Sequence, residues 1–198
     1  MSMWIAPALL VAFTIAQDGR VMLDNDYTHV TSNGAPCATA SAACVDRVIV
    51  ALGDIELRAG ATTRKMTRGD IAVFAGHESY APPSGGPYFE VVRKPDHPPV
   101  QLPREVILPE KNAIRHDGPR FFIFEERLEP GDTRTRHSHG QRVIVQLNHT
   151  QLQQWPDGEP ELLRDIVPDG AAFSPPVIHV VKNVGDKPLR GIVIEFKR

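Results

Sequence analysis

Apolar residues along this chain recur at every second position or in short runs, and Gly, Pro, Asn and Asp interrupt them at short intervals. Alternation at period two is the signature of a half-buried strand, and a short apolar run between turn residues that of a buried one. Phe121–Leu128 (FFIFEERL), Arg142–Leu147 and Ile192–Phe196 are rich in β-branched and aromatic side chains, which suit a pleated surface. Glu129-Pro-Gly-Asp132, Pro156-Asp-Gly158 and Gly185-Asp-Lys-Pro188 read as turns. No segment carries a sustained helical periodicity, and Leu162–Asp165 has room for one helical turn at most. The pattern predicts an all-β chain, an antiparallel barrel or sandwich.

The pattern also repeats. Asp46-Arg-Val-Ile-Val-Ala-Leu52 and Gln141-Arg-Val-Ile-Val-Gln-Leu147 share five of seven residues, 95 positions apart. Each is followed by a second strand-like stretch, at Asp54–Arg58 and Thr150–Gln154. Next come a turn and a segment ending in Phe, at Gly69–Phe74 and Asp169–Phe173, and then a β-rich run, at Tyr88–Arg93 and Gly191–Phe196. Two copies of one unit account for this order. The expected organisation is one unit over 17–95, a proline-rich linker over 96–105 and a second unit over 106–198.

Composition sharpens the reading in three places. The 18 prolines and 15 glycines among 198 residues break the chain too often for long helices. A formal charge of −2 argues against a dedicated nucleic-acid binder. Trp4–Ala16 is an apolar run too short for a membrane span, and it fits the core of a leader cleaved after Ala16, although Met1-Ser2-Met3 carries no Lys or Arg. Residues 1–16 are therefore expected to direct export to the periplasm or medium; without that leader the chain stays cytoplasmic. Export would favour a local disulfide between Cys37 and Cys44 over two free thiols.

The second unit holds the candidate chemistry. On a strand, His137-Ser-His139 places both imidazoles on one face, and His179 follows within Pro175-Pro-Val-Ile-His-Val-Val-Lys-Asn183. A neighbouring antiparallel strand would bring His179 in as a third ligand, and three neutral imidazoles suit Fe, Zn, Cu, Ni or Mn. Metal affinity is then expected to fall below about pH 6, as ordinary imidazoles protonate. Arg134, Arg136 and Arg142 flank the histidines; they read first as a solvated strand edge, and second as a clamp for a carboxylate at a barrel mouth. His29, His97, His116 and His149 have no spaced partners.

Gly131 with His137-x-His139, followed by Gly170, the prolines, His179 and Asn183, resembles the paired motifs of the cupin superfamily. With the repeat, the chain looks like a two-cupin protein: two antiparallel cupin-type β-barrels (double-stranded β-helix or jelly roll) in tandem, the second carrying the motif. The resemblance implies His137, His139 and His179 as ligands of a divalent metal. The sequence departs from the family in lacking a Glu shortly after His-x-His. Gln141 has the right strand parity to replace it, and Arg142 would repel a cation. In the first unit Ala42, Cys44 and Tyr80 align with the three histidines, so that half is expected to hold no metal.

Two functions follow: an exported bicupin that binds a small molecule, with a three-His metal site in its second barrel, and a three-His iron dioxygenase-like enzyme acting on a small organic acid. A small-molecule ligand and a homodimer are open readings. The charge argues against nucleic acid as a partner, and no membrane role is expected once the leader is removed.

Overall fold

A computed structural model describes residues 19–34, 44–108 and 112–198. The proposed leader, Cys37 and Ala42 lie outside the described residues, and with them the Cys37–Cys44 pairing. The described residues form seventeen β-strands and no helix, and all the strand pairs are antiparallel.

The first unit contains β1 (Arg20–Asp24), β2 (Thr28–Ser32), β3 (Arg47–Ala51), β4 (Ile55–Ala59), β5 (Thr62–Met66), β6 (Ile71–Phe74), β7 (Ala81–Gly85) and β8 (Tyr88–Arg93). The second contains β9 (Asn112–Asp117), β10 (Phe121–Leu128), β11 (Thr133–His139), β12 (Arg142–Gln146), β13 (Thr150–Pro156), β14 (Leu162–Ile166), β15 (Ala171–Ser174), β16 (Val177–Asn183) and β17 (Leu189–Phe196). One sheet runs β1-β2-β8-β3-β6 and its counterpart β9-β10-β17-β12-β15; the facing sheets run β5-β4-β7 and β14-β13-β16-β11. The orders correspond strand for strand except at β11, which has no described counterpart in the first unit. The repeated Arg-Val-Ile-Val occupies β3 and β12, in the same place in each sheet. The turns before β6 and β15 correspond too, with positive φ at Gly69 (92°) and Asp169 (58°).

Two expectations change. Leu162–Asp165 is no helical turn but most of β14, which pairs with β13 from Thr150↔Ile166 to Gln154↔Leu162. The repeat aligns one residue differently beyond the shared motif: Val48 faces Val73 where Val143 faces Phe173, so Phe74 matches Ser174.

Period two divides the side chains of each large sheet. Val48, Val50, Phe89 and Val91 of the first unit and Val143, Val145, Ile192 and Ile194 of the second point away from their own barrels and meet in one buried core. The alternate residues, Arg47, Ile49 and Ala51 in β3 and Arg142, Ile144 and Gln146 in β12, face the two interiors. Arg68 ties the units at the edge: its guanidinium donates to the carbonyls of Leu52 and Leu147 and pairs with Asp169 at 2.6 Å.

Between the units, Val100 is buried, Gln101 and Gln141 exchange hydrogen bonds, and Ile107 accepts a bond from Ser138 N–H. The connecting segment thus lies along β11.

Candidate metal centre

Two paired strands, β11 and β16, carry the three histidines, and β17 of the facing sheet adds Glu195. The turn Glu129–Asp132 leads into β11, with Asp132 N–H donating to Glu129 and Gly131 at φ 84°; Pro-Gly at its centre is what a type II turn requires. Asn183 then fixes β16 against this turn. Its backbone bonds Gly131 and Asp132, its Nδ2 donates to Leu128 and Lys187, and its Oδ1 accepts from Thr150. The motif asparagine is a structural clamp.

Pairing of β11 with β16 puts His137 opposite His179, and the register shifts between Arg134 and His137. That irregularity leaves Thr135 and Arg136 both exposed while Arg134, His137 and His139 are buried. A bulge re-phases a strand in this way. Ring centroids lie 4.6 Å apart for His137–His179, 4.8 Å for His137–His139 and 5.4 Å for His139–His179. One nitrogen from each can be chosen so that all three lie within 4.8 Å of one another.

The outer nitrogens of two rings are held. His137 Nδ1 bonds the Thr135 carbonyl within the bulge at 2.7 Å, and His139 Nδ1 bonds Glu195 Oε1 at 2.7 Å. Such bonds fix ring orientation and leave Nε2 as the inward acceptor. His137 Nε2 and both nitrogens of His179 are buried with no partner. Buried polar atoms are nearly always satisfied, so this donor set fits a cation that prefers nitrogen ligands.

Burial, joined by the nearby arginines and neighbouring rings, holds the imidazoles neutral. The pKa of His137 is lowered to about 4, that of His179 to about 2, and that of His139 well below the ordinary value. The expected loss of affinity below pH 6 is therefore corrected: desolvation moves proton competition to more acid pH. Burial also pushes Glu195 up to about 7, against the pull of Arg142 and the Gly140 N–H.

The flanking residues divide differently from the sequence reading. Arg136 alone is a solvated edge residue, bonded to Asp157 and Glu105. Arg134 is fully buried and paired with Glu126 at 2.8 Å. Arg142 is buried, its pKa brought down to about 10 by burial, with Nη1 donating to the Gly140 and Pro175 carbonyls. Gln141 does not join the histidines; its Oε1 accepts from Gln101 N–H at 2.7 Å. Glu195, the carboxylate that does touch the site, lies 56 residues from His139 in β17, too far for local spacing to reveal. A cavity of about 650 Å³ adjoins His139 and His179, with Arg142, Ile144 and Gln146 along one wall.

No protein-family model and no curated protein matches the sequence. Solved structures do match the fold. AerE from Microcystis aeruginosa is 18% identical with a TM-score of 0.57, covering 90% of this chain and 91% of that one. A cupin 2 conserved barrel domain protein from Leptotrichia buccalis is 14% identical with a TM-score of 0.53, covering 89% and 87%. The chain has the cupin fold, in two tandem copies. Bacillus subtilis oxalate decarboxylase, whose structural study concerns Mn(II) centres, matches this fold at 10% identity and a TM-score of 0.56, over 91% of this chain and 75% of that one.

The first barrel is filled. Tyr80 is buried, stacks on Phe74 at 4.5 Å and donates to Glu90; the Arg47 guanidinium lies 5.3 Å from the Tyr80 ring centre and donates to the Glu78 carbonyl. Tyr80 does not occupy the His179 place. Arg58 faces Ala81 where Gln153 faces Lys182, so Tyr80 matches Val181.

Proposed function

We propose that the second barrel binds a divalent metal ion on His137, His139 and His179 and acts on a small molecule held in the adjoining cavity. The observation that carries this is the set of buried, unpartnered imidazole nitrogens at His137 and His179, beside a His139 ring oriented by Glu195. The bound metal would supply Lewis-acid or redox chemistry. The chain's own residues do the rest. Glu195 and the Thr135 carbonyl aim the rings, Phe124 stacks on His139 at 5.8 Å, and Arg142 places positive charge on the cavity wall. Three neutral ligands leave a dication uncompensated, which favours an anionic partner in the cavity. Export through residues 1–16 belongs to the same reading, and the N-terminal sequence of the mature protein tests it.

Elemental analysis of untagged protein decides the metal. We expect a content near one per chain, held by three ligands that must all be present, and almost none in His139→Ala. Equal, negligible metal in both proteins overturns the reading.

A further inference from the structure

The two barrels carry the same inward-facing arginine and isoleucine, and they differ in what lies opposite. In the first, Ile49 faces Glu90, and Tyr80 stands one residue before the Arg58↔Ala81 pair. In the second, the matching positions are Val193, opposite Ile144, and Val181, beside the Gln153↔Lys182 pair. Glu90 and Tyr80 fill the first interior with a carboxyl group and a phenol ring. Val193 and Val181 leave that room empty, and both line the cavity. The arginine is kept.

Arg47 has a built-in acid, with Nε 4.0 Å from Glu90. Arg142 has no carboxylate within that distance: among the described residues its guanidinium bonds only backbone carbonyls, and the two acids that act on its charge from farther off, Glu195 opposite it in β17 and Glu126, are bonded to His139 and Arg134. A buried guanidinium whose neighbouring carboxylates are bonded to other side chains favours an anion from outside.

Resting on the metal-site reading above, we propose that the ligand of the second barrel is a small carboxylate with an apolar, ring-sized body. Its carboxylate takes the place before Arg142 that Glu90 takes before Arg47, and its body packs on Val181 and Val193 where the first barrel holds the Tyr80 ring.

Calorimetric titration of the full chain with benzoate and with neutral benzamide tests this, in chelator-treated and zinc-loaded protein. Chelator-treated protein is expected to bind benzoate at least tenfold tighter than benzamide. Arg142→Gln abolishes that preference, and Val181→Phe, which refills the cavity with the arginine intact, abolishes binding of both. Should Arg142→Gln fail to fold, the wild-type preference and Val181→Phe still decide. Equal affinity for the two probes, no binding of either, or full benzoate binding in Val181→Phe overturns the proposal. Zinc at one per chain without benzoate preference sinks this inference and spares the metal reading; benzoate preference without zinc uptake does the reverse.

Discussion

Arg134 and His137 stand three apart in β11, so a regular strand would send them to opposite faces. The bulge between them turns both inward, which is why parity alone assigns the arginine to solvent while correctly pairing His137 with His139. The convergence of His137, His139 and His179 was legible because two strand periodicities and one motif carry it. Glu195, Glu126 and the burial of Arg142 were not, because each depends on a partner strand brought in from elsewhere in the chain. Burial at this scale has a pH consequence. The free imidazole titrates at 6.5 and His137 in the fold at about 4, with His179 lower still. The unfolded chain therefore takes up protons first, and the contribution is full above pH 6.5 and lost as pH falls. Each histidine costs about 1.4 kcal/mol per pH unit in that window. Glu195, raised from 4.5 to about 7, works in the opposite sense and offsets about one of them. Urea midpoints of the metal-free protein are expected to fall between pH 6.5 and 5, more shallowly in His179→Gln. A flat profile would mean that burial does not hold these rings neutral.

At the scale of elements, the repeat located β3 and β12 and, through them, the order of the sheets. It could not supply register, since one residue gained or lost in a turn moves everything beyond it; this is how Tyr80 came to be matched with His179. Prolines at 82 and 83 sit in β7, an edge strand of its described sheet, where a missing N–H is tolerated. The segment between the barrels is no free tether, because Ser138 on the histidine strand and Gln141 just beyond its end hold Ile107 and Gln101. Gln141 is thus a fastener for the connecting segment. Gln141→Ala is expected to lower stability by about 1 kcal/mol, the worth of one buried hydrogen bond, and to leave metal content unchanged. Denaturant titration and elemental analysis of the same sample check it, and loss of metal would return Gln141 to the ligand set.

The whole molecule is held by a core that belongs to neither barrel. Val48, Val50, Phe89 and Val91 pack on Val143, Val145, Ile192 and Ile194, so each large sheet buries its outer face on the other and keeps its inner face for its own interior. This division lets one interior stay packed and the other stay open without either exposing its sheet. It also means that damage to one unit reaches the other. Phe89 is 1% exposed and lies in the first unit, while Trp155 lies in β13 of the second. With Trp4→Phe as background, Trp155 is the single tryptophan and reports the second barrel alone. Truncating a buried phenylalanine costs about 3–5 kcal/mol. Phe89→Ala should therefore shift the urea transition seen at Trp155 by as much as that seen by far-ultraviolet circular dichroism, in one step. A Trp155 transition left in place while the dichroism falls in two stages would show that the barrels fold independently and that the shared core adds little.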